Sequence, residues 1–195
     1  DSNCSSVTSR KAFMPGSSKH IIATCDGGVF ETSNNAVSWS DISNNLEVAQ
    51  QYSIGPSATV SGRWITGWQD NGINLSGASW SQVLGGDGMV CFIDQSNPNT
   101  FYAENYDGSL QKSTNGGSSW SYIASSITET GPWVTRWLQD PKLNTVLYSG
   151  FTNVWKSTNS GSTWSKISTW GTSSISALKV DSASDQVIYA AQSNK

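Results

Sequence analysis

The chain has 195 residues, enough for a sizeable core in one domain or in a large piece of one. Only 13% of them are charged, about half the share near 25% usual for globular domains, so 36 serines with many Thr and Asn must supply a neutral, polar surface. The net charge is −3 and the 11 Lys and Arg form no run, which excludes a phosphate-neutralising stripe for nucleic acid; no stretch approaches the ~20 apolar residues of a membrane-spanning helix.

The opening residues carry neither an initiator methionine nor a secretory signal pattern, so Asp1 reads as an internal or processed start. A first four-stranded repeat is predicted over about 10–50. Its second strand is the apolar Ile21-Ile22-Ala23, entered by the lone His20, for which a strand-edge role outweighs a catalytic one; Asp26-Gly27 marks the next hairpin, and the third strand leads to Trp39. A second repeat covers about 51–86. Gln51-Tyr52 enters its first strand, Trp64-Ile65-Thr66 is its second, Asn71-Gly72 its bend, and Trp80 stands near its end. The third, 87–131, has a first strand at 89–94, a turn at Asn97-Pro98-Asn99, a second strand at Phe101-Tyr102-Ala103, a bend at Asp107-Gly108 and Trp120. The fourth, 132–172, runs from a strand at 133–138 through a turn at Asp140-Pro141 to Leu147-Tyr148-Ser149, the hairpin Phe151-Thr152-Asn153 and Trp164. Residues 173–195 supply the first two strands of a fifth, Ile175–Val180 and Ile188-Tyr189-Ala190. Asn-Gly and Asp-Gly bends tolerate positive φ at both central positions, as a type I′ hairpin requires.

The period is the strongest signal. Trp39, Trp80, Trp120 and Trp164 recur at intervals of 41, 40 and 44 residues, and the apolar second strand keeps the same phase. No window has helical periodicity, while Gly, Ser and Asn punctuate the chain every ten residues or so. A lone four-stranded sheet cannot bury both faces; repeats of this length do so by stacking radially as propeller blades. The predicted fold class is therefore all-β: a β-propeller fragment of four-stranded antiparallel blades, about four complete and part of a fifth, whose remaining blades are expected from a parent chain or another chain.

The turn before the periodic tryptophan carries a resemblance. Ser113-Thr-Asn115-Gly-Gly117-Ser-Ser-Trp120 and Ser157-Thr-Asn159-Ser-Gly161-Ser-Thr-Trp164 resemble the Asp-box, S-x-D-x-G-x-x-W, with Asn in place of the family's Asp; Thr32-Ser-Asn34-Asn-Ala36-Val-Ser-Trp39 is a degenerate copy, and Gly77-Ala-Ser-Trp80 keeps only the end of another. Asn or Asp folds onto nearby N–H groups, Gly permits the left-handed bend and Trp packs between sheets, so these residues are read as structural. Asp-box repeats occur in sialidases, xyloglucan-degrading glycosidases, sortilin-type receptors and photosystem assembly factors, so the motif selects no function. Across nearly the whole chain, Cys25-Asp-Gly-Gly-Val-Phe-Glu-Thr, Trp68-Gln-Asp-Asn-Gly72, Gly85-Gly-Asp-Gly-Met89 and Val154-Trp-Lys-Ser-Thr-Asn159 resemble segments of large sortilin-like exported proteins of Bacteroidetes that carry a type IX secretion signal. That resemblance implies secretion or surface display.

Propeller ligands usually bind the face formed by the hairpins between second and third strands and the links between blades, which the fold resemblance places opposite the Asp-box turns. That rim gathers Gln51, Tyr52, Trp68, Gln69, Asp70, Asn71, Asp87, Tyr106 and Trp133 as candidate ligand-binding residues, although a self-satisfying hairpin at Gln69–Asn71, a Gly-rich turn at Asp87 and a core role for Trp133 are the plainer readings. Asp70 and Asp87 are the only candidate catalytic pair, since a glycosidase needs two carboxyls at a defined separation. Arg10, Arg63 and Arg136 are the only arginines, too few and wrongly placed for a sialidase. No metal or cofactor is expected; hard oxygens at Asp70 and Asp87 make only a weak case for Ca²⁺. Cys4, Cys25 and Cys91 have no zinc spacing, and Cys25 and Cys91 read as small buried side chains, with a Cys4–Cys25 disulfide as the alternative for that pair. The expected function is a secreted or surface module that binds glycan or protein; part of a polysaccharide hydrolase and a structural spacer of a large adhesin are the alternatives.

Overall fold

A computed structural model describes residues 10–13, 19–25, 28–43, 49–169, 171–183 and 187–192. The side chains of residues 10–13 and Cys25 lie outside the description, as do Cys4 and the Asp26-Gly27 bend. The chain divides into two compact units, 1–50 and 51–195, and its described residues contain strands but no helix. Four sheets are four-stranded antiparallel meanders and a fifth is two-stranded. The first holds β1 (Arg10–Phe13), β2 (Ile21–Cys25), β3 (Gly28–Thr32) and β4 (Ser40–Asp41), and the second β5 (Gln50–Pro56), β6 (Trp64–Gln69), β7 (Gly72–Leu75) and β8 (Ser81–Leu84). The third holds β9 (Gly88–Ile93), β10 (Phe101–Asn105), β11 (Ser109–Ser113) and β12 (Ser121–Tyr122), and the fourth β13 (Arg136–Gln139), β14 (Leu147–Gly150), β15 (Val154–Ser157) and β16 (Ser165–Lys166). The fifth pairs β17 (Ile175–Val180) with β18 (Ile188–Gln192). This is the blade architecture of a β-propeller.

Within the second unit the burial pattern explains why the sheets stack. An antiparallel sheet with one wet face would alternate buried and exposed residues, yet Phe101, Tyr102, Ala103 and Glu104 are all essentially inaccessible. Successive residues simply serve successive cores. Phe101 and Ala103 point to the second sheet, joining Ile65, Ile73, Cys91 and Ile93. Tyr102 points to the fourth, joining Trp137, Leu147, Phe151, Trp155 and Trp164. Leu147 serves that same core, and its neighbour Tyr148 turns to Val180 beyond. Where the sheets cross most closely no side chain fits: a Cβ on Gly67 of β6 would meet Met89 O of β9 at 2.0 Å. Ser53 in β5 completes the seam, donating to Met89 O at 2.6 Å and accepting from Cys91 N at 3.0 Å. Cys91 is buried there with its Sγ 3.2 Å from Ser53 Oγ, and burial pushes its thiol up to about 12, which leaves it an inert packing residue.

The turns before Trp39, Trp120 and Trp164 are closed networks. Ser113 Oγ donates to Asn115 Oδ1 at 2.9 Å and accepts from Gly117 N at 2.9 Å, while Asn115 Oδ1 also accepts from Ser119 N at 3.0 Å. Ser157, Asn159, Gly161 and Thr163 repeat it at 3.0, 2.9 and 2.9 Å. The Asn amide adds what a carboxylate could not: its Nδ2 donates to Ser119 Oγ and to Thr163 Oγ1, each at 2.9 Å. In the first unit Thr32, Asn34, Ala36 and Ser38 make the same set, with Ala36 forced to φ 64° where the other copies have glycine. The degenerate copy is thus intact as a turn.

The expectation that all four tryptophans pack between sheets fails for two of them. Trp164 is 6% exposed, but Trp39 is 39% and Trp80 47% exposed. The turn before Trp80 is shortened, and its ring meets Trp68 at 5.7 Å instead. The hairpin at 69–71 also differs from a type I′ bend. It closes at Trp68↔Gly72, so the positive φ values fall on Asp70 (61°) and Gly72 (67°) rather than on Asn71 and Gly72; Asp107 (58°) and Gly108 (79°) are as expected. His20 Nε2, just before β2, lies 3.0 Å from Glu31 Oε2 of the neighbouring β3.

Candidate functional site

Two groups of the rim residues come together, both in the second unit. The polar group is built on the β6–β7 hairpin. Tyr52 OH donates to Gln69 Oε1 at 3.0 Å, and Asp70 N donates to Asp87 Oδ1 at 2.8 Å, so the link between the second and third sheets is tied to the hairpin beside it. Asn71 faces inward to the turn: its Nδ2 donates to Gln69 O at 3.2 Å, and its carbonyl accepts from Asn74 Nδ2 at 2.8 Å and Gln82 Nε2 at 2.9 Å. Gln51 does not join this group. Its Nε2 donates to Thr66 Oγ1 at 2.7 Å, a cross-strand bond between β5 and β6. Trp68 is engaged with Trp80.

This geometry bears on the carboxylate pair. One oxygen of Asp87 is committed to a backbone N–H, the bond expected of a turn fastener, whereas a general acid must hold and release a proton at the substrate. No group of three or more His, Cys, Asp or Glu among the described residues is placed to hold a metal ion.

The aromatic group lies between the third and fourth sheets. Tyr106, at the β10–β11 hairpin, and Trp133, in the segment leading into β13, stack with ring centroids 5.1 Å apart and planes 18° apart. They are 45% and 42% exposed, so the reading of Trp133 as core is corrected: its ring lies on the surface and covers its neighbour. The two stacked rings, each left about half in water, form an apolar patch on a polar rim.

This patch has a rigid base that the sequence did not announce. Glu104, next but one to Tyr106, is fully buried and accepts from Thr135 N at 2.8 Å and Gly108 N at 3.3 Å. It thereby clamps the hairpin bearing Tyr106 to the segment bearing Trp133. Burial pushes its carboxyl up to about 8 against those hydrogen bonds, so it is neutral at pH 7. Glu129 does the corresponding work one blade further. It accepts from Asn153 N and Nδ2, both at 2.9 Å, and from Trp155 Nε1 at 3.1 Å, with Lys166 Nζ 3.7 Å away. Burial alone would raise its carboxyl, but these donors and the Lys166 charge hold it below the ordinary range. The one legible signal for Glu104 was an acid in an otherwise apolar second strand. A second periodic fastener lies in the turn after the first strand, which the sequence marked at Asp140-Pro141 without the role of the acid: Asp94, Asp140 and Asp181 each accept the N–H two residues on at 2.9 Å.

No family model matches the chain, and no curated protein matches it. Solved structures do. An ancestral GH74 enzyme superposes with a TM-score of 0.60 at 19% identity, covering 93% of this chain and 27% of that one. The GH74 enzyme of Niastella koreensis gives 0.53 at 17% identity over 87% and 25% of the two chains. The GH74 xyloglucanase of Xanthomonas campestris gives 0.54 at 12% identity over 86% and 31%. The chain spans between a quarter and a third of the length of these enzymes, and at such identities the likeness establishes one thing, the β-propeller fold.

Proposed function

We propose that this chain is a non-catalytic β-propeller interaction module that binds glycan through the rim of its hairpins and inter-blade links, with Tyr106 and Trp133 as the aromatic patch. The carrying observation is the exposed, near-parallel pair itself. A half-wet aromatic surface is costly to leave bare, and aromatic faces match the C–H faces of sugar rings, while the surrounding Asn, Gln and Ser supply neutral hydrogen-bond partners. A chain with only 13% charged residues suits a neutral polysaccharide better than an anionic one. The turns of Asp-box type and the likeness of several segments to exported type IX proteins support a secreted or surface location.

Titration with xyloglucan oligosaccharides and other neutral glycans, followed by calorimetry, tests the reading. Saturable binding that weakens at least tenfold in Trp133→Ala, a surface substitution that should leave the fold intact, is the expected result. Absence of binding across the panel, or binding indifferent to Trp133→Ala and Tyr106→Ala, rejects it.

The likeness to GH74 enzymes supports a second reading, part of a polysaccharide hydrolase in which residues elsewhere complete the site. Release of reducing ends from xyloglucan, lost in Asp87→Asn with Tm unchanged, would establish that reading over the first.

A further inference from the structure

Most polar side chains on the rim of the second unit are spent on other groups of the protein. Tyr52 and Gln69 bond each other, the Asn71 amide bonds Gln69 O, the Gln51 amide bonds Thr66, and one Asp87 oxygen holds Asp70 N. Asn105, beside them, is not spent: among the described residues its side-chain amide makes no hydrogen bond. Its Oδ1 is turned into the protein, buried and without a partner. Its Nδ2 is the amide atom closest to Gly86, in the exposed link between the second and third sheets; an added Cβ on Gly86 would lie 3.2 Å from Nδ2 and 3.9 Å from Oδ1.

The strand that carries Asn105 also sets what lies across from it. Asn105 ends β10, opposite Gly88 of β9 and Ser109 of β11, and is followed directly by Tyr106. Successive side chains of a strand leave opposite faces. Phe101 and Ala103 face the second sheet, and Asn105 continues that face to the link at Gly86. Tyr102 and Glu104 face the fourth, and Tyr106 continues that one to Trp133. The crest of the β10–β11 hairpin thus has an unused amide on one flank and the aromatic patch on the other. The link opposite the amide offers little to cover it. A Cβ on Gly85 would meet nothing within 4 Å, and Gly86, at φ 89°, holds a conformation that resists a side chain. An N–H donor is left reachable from outside.

We propose that Asn105 is a specificity-determining residue of the glycan site: its Nδ2 donates to a hydroxyl of one sugar ring while another ring of the same chain lies against the Tyr106–Trp133 patch. The inference rests on the glycan reading and deepens it. Because the two contacts lie on opposite flanks of the hairpin, the ligand crosses the crest and is longer than one ring. Because Nδ2 has no partner in the protein, the contact discriminates by hydroxyl: a ligand lacking that group leaves the donor unpaired. Asp107 on the crest and Asp87 in the link bring carboxylates to this path, which disfavours an anionic sugar.

Calorimetric titration of the full chain with cellotetraose, glucose and cellotetraose derivatives that each lack one hydroxyl provides the test. Asn105→Ala should weaken cellotetraose binding by about fivefold. Its Tm should hold or rise, since the substitution removes a buried oxygen that has no partner. Asn105→Asp, which keeps the shape and replaces the donor by an acceptor, should lose at least as much affinity. One deoxy derivative should bind the parent as weakly as cellotetraose binds Asn105→Ala, and should lose nothing further in that variant; glucose should not bind measurably. Binding that depends on Trp133 but is unchanged in Asn105→Ala overturns the inference and leaves the glycan reading standing, and so does an Asn105→Ala loss that is equal for every deoxy derivative. Binding of cellotetraose indifferent to Trp133→Ala, or no binding, removes both.

Discussion

At Ala36 an L-residue holds φ 64° because the Thr32–Asn34–Ser38 network around it is complete. A side chain in the left-handed region costs about 1–2 kcal/mol, and glycine removes that cost. Ala36→Gly should therefore stabilise the turn by about 1 kcal/mol, read as slower amide exchange over residues 32–39; unchanged exchange would mean the strain is absorbed elsewhere. Glu104 makes a second prediction, on pH. Its carboxyl lies near 8 when folded against an ordinary value of 4.5, so the unfolded chain ionises first. Stability from this group is complete below 4.5, declines by at most about 1.4 kcal/mol per pH unit as pH rises towards 8, and levels off above it. Glu104→Gln, which keeps an acceptor for Thr135 N and Gly108 N, should flatten the curve between pH 5 and 8 in urea denaturation; a parallel curve in the variant would refute the assignment. Neither role could be judged from the sequence: Ala36 looked like decay of a motif, and the one signal for Glu104, an acid in an otherwise apolar strand, does not reveal which N–H groups it holds.

For the single element, the turn with its glycine and tryptophan is also the joint to the neighbouring blade. Gly161→Ala meets two obstacles, φ 88° and Ile123 Cδ1 at 2.5 Å, and should lose about 2–3 kcal/mol. Adding Ile123→Ala should restore the steric part and leave the backbone part, so the two substitutions couple; strict additivity in chemical denaturation would show that the two residues do not touch. The motif spacing made the turn legible, because Asn, Gly and Ser act locally on their own backbone. That Gly161 receives a side chain from 38 residues earlier was not legible, since nothing local to the turn depends on it.

On the scale of the whole molecule, the second unit holds together by sheets packed too closely for side chains at their crossing. Gly67→Ala would drive a methyl into Met89 O, 2.0 Å from the ideal Cβ, and should cost about 3 kcal/mol or more, with loss of cooperative unfolding across residues 51–131. A Tm within 2 °C of the parent would mean the sheets can slide apart without penalty. Strand order and the all-β class were legible here because Phe101, Leu147 and Ile65 recur in one phase with Gly-rich bends between them. The rim was legible only in part: the Asp70–Asp87 and Tyr52–Gln69 contacts join residues the repeat already placed on one side, whereas Gln51 turned to Thr66 and Trp68 to Trp80.

Period, turn chemistry and apolar phasing are properties of neighbouring residues, and from them the sequence alone determined a meander of four-stranded sheets with structural turns at the tryptophans. Pairing across blades depends on side chains that lie tens of residues apart and on exposures created only when sheets meet. The tertiary structure therefore decided that Asp87 fastens a hairpin and that Trp133 surfaces beside Tyr106.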